Sequence, residues 1–305
     1  MNDVYTWSDD MYPIVKKSFD ERYNSRISLL GNIAGIVKQD ELSYKFEGLG
    51  GYGELPEYSS SALARSDGTK GFITTVTPTE RALALPVEYK NAKLDLVGEA
   101  KKVGTRLADS AYMTVLSAFY RMFGNAFKTK GADGVAWASN AHPVNTEDGA
   151  ATFSNIMGAE LSVSSICQAQ KQASGFVTSD GLPFVCDFDL LLVSPELEET
   201  ARSICGKNTE LSPMLNPETG VGANPVHGMN YIVVGGGNVG FKDEQWAVAD
   251  RALLSEVFKL VYITEPSVLI SPRENPLVTD YIAYVDFAFG FGDARPIIFC
   301  DPAIA

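Results

Sequence analysis

The chain has 305 residues, 45% hydrophobic and 21% charged, and its 25 Lys plus Arg against 38 Asp plus Glu give a formal charge of −13. That balance excludes a wholly disordered chain, and the acid excess argues against a nucleic-acid binder, whose affinity comes from cations neutralising phosphates. No run reaches the roughly 18 apolar residues of a membrane helix. The acidic start MNDVYTWSDDMYP is unlike a secretory signal, and four scattered cysteines with no Asn-X-Ser/Thr acceptor fit a reduced, intracellular protein.

Met11, Ile14, Val15, Phe19, Tyr23 and Ile27 recur at three- and four-residue steps and predict an amphipathic helix. Ser8 is placed to cap it, with Pro13 tolerated near the first turn. Such a helix packs on its own core or on another subunit. Residues 42–47 alternate apolar and polar, as a half-buried strand does. Glycines then fall at 48, 50, 51 and 53, followed by Pro56 and a polar stretch to Thr69. Residues 72–76 and 82–89 read as strands, with Leu83, Leu85, Val87 and Tyr89 on one face. The whole of 42–89 is therefore a two-armed excursion with a flexible tip, and it holds too little apolar surface to fold alone. A mobile surface loop is one reading; an arm that grips a neighbour is the better one.

Leu96, Ala100, Val103, Leu107, Ala111, Val115, Phe119 and Phe123 keep helical spacing over about 28 residues, a rod of roughly 40 Å, with Gly124 placed to stop it. Residues 128–155 are rich in Gly, Asn, Asp and Ser, with a short apolar patch at 135–138. A second helix is expected over 161–173, capped by Ser162. Residues 184–193 read as a strand. It runs into Ser194-Pro195 and a helix of about three turns closed by Gly206. After a Pro/Asn/Gly-rich loop at 207–230, strands are predicted at 231–234, 245–250, 257–263, 281–289 and 297–300. Helices and strands segregate by region, which defines an α+β class.

The search for chemistry finds no active site. Gly235-Gly236-Gly237-Asn238-Val239-Gly240 satisfies GxGxxG, but a dinucleotide site needs that turn to open a helix, and FKDEQWAVAD alternates like a strand. A glycine hairpin turn is the better reading, and a nucleotide-dependent enzyme the alternative from another class. No GxxxxGK[ST] loop or GxSxG elbow occurs. His142 and His227 are read as loop histidines without special role. The four cysteines are read as small buried apolar residues, since their spacing does not suit zinc. No catalytic residue, cofactor or metal ligand is assigned, and the chain is expected not to be an enzyme.

The order of features resembles the major capsid (major head) protein of tailed bacteriophages, the Hong Kong 97-like fold. GLGGYGELPEY (48–58) is similar to the approach to the extended E-loop of such proteins. FDLLLVSPELEETARSI (188–204) is similar to their strand-then-helix segment near the A-domain, and DYIAYVDFAFGFGDARPIIFCDP (280–302) to their C-terminal strands. The resemblance implies an N-terminal arm at 1–41, an E-loop at 42–90, a P-domain at 91–155 and 250–295, and an A-domain at 156–249 and 296–305. It implies self-assembly into hexamers and pentamers of an icosahedral head that encloses double-stranded DNA without sequence-specific binding. The N-terminal arm would reach along adjacent subunits, and the E-loop would lie across the neighbouring one. Gly50, Gly51, Tyr52, Glu54, Tyr58, Arg65 and Lys70 are the residues expected at that inter-subunit contact. Lys70 lies in the region where some relatives form a Lys–Asn isopeptide bond, but no matching motif assigns an acceptor. A separate scaffolding protein, a portal and decoration proteins are the implied partners, with no membrane. The location is the virion, after assembly in the host cytoplasm. An encapsulin-type shell of the same fold is the runner-up.

Charge is uneven along the chain. Residues 1–130 hold 17 cations and 16 anions, whereas 131–305 hold the remaining 8 cations and 22 anions. Such a division suits a near-neutral part docking on the acidic part of another copy, setting register and rate more than affinity.

Overall fold

A computed structural model describes residues 3–31, 33–50, 54–55, 68, 70–147, 149–206, 224–236, 238–272, 275 and 277–304. In chain order the elements begin with α1 (Asp3–Gly31), β1 (Gly35–Lys38), β2 (Tyr44–Glu47), β3 (Ile73–Val76), β4 (Thr79–Glu88), α2 (Tyr89–Leu94) and α3 (Leu96–Gly124). Three two-residue strands follow, β5 (His142–Pro143), β6 (Thr152–Phe153) and β7 (Ile156–Met157), then α4 (Val163–Ala173), β8 (Leu190–Val193) and α5 (Glu198–Cys205). Next come β9 (Asn230–Val233), β10 (Gly235–Gly236), β11 (Val239–Gly240), β12 (Trp246–Ala249) and α6 (Arg251–Val257). The long strands β13 (Phe258–Pro272) and β14 (Val278–Phe291) and the short β15 (Ile297–Cys300) complete the fold. The chain divides into two compact units. One comprises Met1–Tyr44, Val76–Ala118 and Lys259–Gly290; the other comprises Lys45–Thr75, Phe119–Phe258 and Phe291–Ala305.

The first unit is two long helices on a four-stranded sheet of order β1-β13-β14-β4. β4 runs antiparallel to β14 from Val278↔Glu88 to Phe287↔Thr79, and β1 runs parallel to β13 from Gly35↔Lys259 to Lys38↔Tyr262. In β14, Tyr281, Ala283, Val285 and Phe287 are buried, and so is Asp286 between them, while Phe289 is half-buried. Tyr281 and Ala283 join a core with Met11, Val15, Phe19 and Tyr23 of α1 and Ala100, Val103, Leu107 and Ala111 of α3. The stripe predicted for α3 is the one buried, and Gly104 lets α1 cross closely, since a Cβ there would run into Val15 and Phe19 backbone. Gly124 ends α3 as expected.

The N-terminal helix begins earlier than the sequence reading placed it. Ser8 therefore lies buried inside α1, its carbonyl accepting from Tyr281 Oη at 2.9 Å, and does not cap it; Pro13 is interior. An interior proline costs about 3 kcal/mol, and burial of Trp7, Met11, Val15 and Phe19 offsets it at about 1.5–3 kcal/mol for each large apolar side chain. Residues 1–41, expected as an arm, thus hold α1, packed in the first unit's core, and β1, paired in its sheet.

The second unit is built on a five-stranded sheet of order β7-β15-β12-β8-β9. Every residue of β8, β12 and β15 is buried, which explains their unbroken apolar runs LLLV, WAVA and IIFC. Helices α4 and α5 cover a core that includes Ile166, Ala169, Leu191, Ala201 and Trp246. Ser162 caps α4 as read from the sequence, in a reciprocal pair with Ser165. A second cluster centres on Trp137, whose indole stacks on Phe258 and Phe291 at centroid distances of 5.3 and 4.7 Å, with Phe123 5.1 Å away.

Four local readings need correction. Only Leu190–Val193 of the stretch 184–193 is strand. The N–H groups of Asp187 and Phe188 bond instead to the side chains of Asp250 and Gln170, at Oδ2 and Oε1, and that of Phe184 bonds to the Phe176 carbonyl. Helix α6 was not predicted; Asp250 caps it by accepting from Leu253 N. Ser194 makes no cap bond and donates to Asp243 O instead. Cys186, Cys205 and Cys300 are buried as expected, but Cys167 is exposed. The GxGxxG segment is a hairpin: β10 and β11 pair antiparallel, and the strand β12, not a helix, follows them.

Candidate assembly site at the arm root

The excursion at 42–89 has at its root the two-stranded sheet of β2 and β3, and residues 45–75 belong to the second unit. Its root is a slot lined by glycine. A Cβ on Gly48 would meet the carbonyl of Gly292, one on Gly71 would meet the carbonyl of Gly48, and one on Gly292 would meet the Phe46 ring. Gly48 N donates to Phe72 O at 2.9 Å and Gly71 N to Glu47 Oε1 at 2.7 Å, closing the two limbs on each other. Thr74 Oγ1 donates to Phe291 O at 3.0 Å.

Beneath the slot lies a buried polar cluster. Arg295, only 3% exposed, donates from Nη1 to Leu49 O at 3.2 Å and to Asp293 Oδ2 at 3.0 Å, and from Nη2 to Val144 O at 2.6 Å. Its guanidinium lies 5.5 Å from the ring centroid of Phe153 and 5.8 Å from that of Phe184. Burial pushes the Asp293 carboxyl above the usual carboxylate range, while the Arg295 charge and a hydrogen bond from the Leu49 backbone pull it back. Ser179 Oγ reaches Leu49 O as well, at 3.4 Å.

Beside this pair, His142, 1% exposed, places Nδ1 2.6 Å from Asp133 Oδ2 and Nε2 3.1 Å from Trp137 O and 3.2 Å from Asn155 Oδ1. His142, read as a loop histidine, thus stands in the short strand β5 and is buried with its ring nitrogens hydrogen-bonded. Fully buried Asn155 ties the cluster together, accepting from Ser139 N and donating to Trp137 O. Among the described residues no group of three or more His, Cys, Asp or Glu is placed to hold a metal.

Of the residues expected at the inter-subunit contact, Gly50, Glu54 and Lys70 are exposed, and Leu55 beside them is 97% exposed. Gly51, Tyr52, Tyr58 and Arg65 lie outside the described residues. Arg295, Asp293, His142 and the glycine slot were not anticipated. One signal was present: a lone Arg between two apolar strands, two residues after an Asp, in a half of the chain with few cations.

Residues 73–298 match the model of a phage capsid protein family. The chain belongs to that family. No curated protein matches its sequence. The solved procapsid of bacteriophage JBD30 resembles this capsid protein with a TM-score of 0.54 at 13% identity, over 95% of this chain and 73% of that one. A virus-like particle from Pyrococcus furiosus gives 0.53 at 9% identity, over 94% and 97%. The SrpI encapsulin of Synechococcus elongatus gives 0.51 at 8%, over 90% and 86%. These likenesses establish the Hong Kong 97-like fold, and with the family they define a structural, shell-forming major capsid protein. Among the described residues no helix is long and apolar enough to cross a membrane.

Proposed function

We propose that this capsid protein assembles into hexamers and pentamers of an icosahedral phage head, encloses double-stranded DNA by confinement, and acts without catalysis. The observation that carries the reading is the family match, which runs from the arm's returning limb to the last strand. In this reading α3 is the spine of the P-domain at 91–155 and 250–295. The sheet β7-β15-β12-β8-β9 is the A-domain, and all five strands fall within 156–249 and 296–305. Residues 42–90 form the E-loop; its β4 is held in the subunit's own sheet, and its tip, with Gly50, Glu54 and Lys70 exposed, lies across a neighbouring copy. A separate scaffolding protein, a portal and decoration proteins are the partners, and assembly takes place in the host cytoplasm.

The test is electron microscopy of the overexpressed protein, with and without its scaffold, beside a variant lacking residues 50–70. Closed shells from the parent and soluble, folded subunits without shells from the deletion are expected. Normal shells from the deletion would refute the role given to the arm. The likeness to an encapsulin favours a second reading, a shell that stores an enzyme in place of a genome. Copurification of a cargo enzyme in place of DNA would select it.

A further inference from the structure

Leu49 is the residue at which the outgoing limb passes from the glycine slot into the arm, and both of its backbone groups are taken by one buried ion pair. Its carbonyl accepts from Arg295 Nη1, and its backbone hydrogen bond to Asp293 stabilises that carboxylate. The pair does for Leu49 what a neighbouring strand would do, at a point where no strand is paired with it. Arginine suits this task and lysine does not. The planar fork presents Nη1 to Leu49 and Asp293 and Nη2 to Val144 at once, and the rings of Phe153 and Phe184 hold its plane. An ion pair serving only the core would not need to reach the arm, and core stability rarely demands one.

We propose that Arg295 is the positioning residue of the arm: its guanidinium holds Leu49, the last residue of the arm's root, in one place, and so decides whether a folded subunit can assemble. Holding the root in place before association lowers the ordering cost of binding a neighbour. The inference rests on the shell reading for its consequence, though not for its geometry.

The experiment compares full-length Arg295→Met, Arg295→Lys and Ser179→Ala with the parent by amide hydrogen exchange, thermal melting and shell yield. In Arg295→Met, exchange at Leu49 and Gly50 should rise at least tenfold while α3 keeps its protection, and shell yield should fall at least tenfold with a cooperative melt retained. Arg295→Lys should recover less than a third of the lost yield, since an ammonium cannot span the three acceptors. Ser179→Ala, which removes the weaker donor to the same carbonyl, should raise exchange and slow assembly two- to threefold. Shell yield within twofold of the parent in Arg295→Met, or unchanged exchange at Leu49, would overturn the proposal. Full rescue by lysine would do the same. Should Arg295→Met lose its cooperative melt, Ser179→Ala decides alone, and no change in either readout refutes the idea. If the parent itself forms no shells, the shell reading fails, and the exchange data still judge the clamp.

Discussion

Gly104 and Gly236 have opposite surroundings, and substitution should separate them. A methyl group on Gly104 meets the backbone of α1 at Val15 and Phe19, whereas one on Gly236 meets nothing within 4 Å. Gly104→Ala should lose about 1–3 kcal/mol in denaturant melts, and Gly236→Ala should be within about 0.5 kcal/mol of the parent. The cysteines offer a second contrast. Burial pushes the Cys186 thiol up to about 12 and the Cys300 thiol well above its ordinary value, while Cys167 is exposed. Thiolate is the reactive form, so an alkylating reagent at neutral pH should label one thiol per native subunit, at Cys167 by mass spectrometry. All four should react after denaturation.

Among the elements, the pairing of β4 with β14 contains a conflict. Asp286 faces Glu80 across the ladder, it is buried, and its Oδ1 has no hydrogen-bond partner among the described residues. Burial first, and then the Glu80 charge, raise the Asp286 carboxyl above its ordinary range. The folded state therefore holds this proton more tightly than the unfolded chain. The group stabilises fully below the unfolded value, and that contribution is lost as pH rises through the folded one. Asp286→Asn should flatten that fall and raise stability at neutral pH by roughly 0.2–1 kcal/mol, the size of a like-charge cross-strand repulsion; melts between pH 3 and 7 measure it. Ser162→Ala should cost about 1 kcal/mol through the lost cap of α4. Periodicity made α3 and most of β14 legible in the sequence, and an unbroken apolar run did the same for β15. It missed α6 and misplaced the start of α1, because those limits are set by Asp250 and by burial of Trp7 in a core built from distant parts of the chain.

At the level of the whole molecule, the acid excess beyond residue 130 bears on how copies meet. Screening at about 1 M salt confines charge attraction to roughly 3 Å, so association of subunits should be slower there than at low salt, as light scattering would record. An unchanged rate would remove charge complementarity from the account. The glycine-rich root of the arm, at 48–50, was legible in composition. Its socket was not. Leu49, Val144, Ser179 and Arg295 are far apart in the chain and share no pattern, and only folding brings a guanidinium to a particular carbonyl.

The parallel pairing of Gly35–Lys38 with Lys259–Tyr262 carries a consequence for synthesis. Ribosomes add about 5–20 residues per second, so β1 waits roughly 10–45 s for the strand it pairs with. β4 waits almost as long for β14. No nascent chain can present a finished first unit until nearly all of it has been translated, and contacts so distant fold slowly. Polysome-bound siblings are thereby kept from interlocking early, and a chain truncated at residue 258 should be captured by chaperones and stay out of particles.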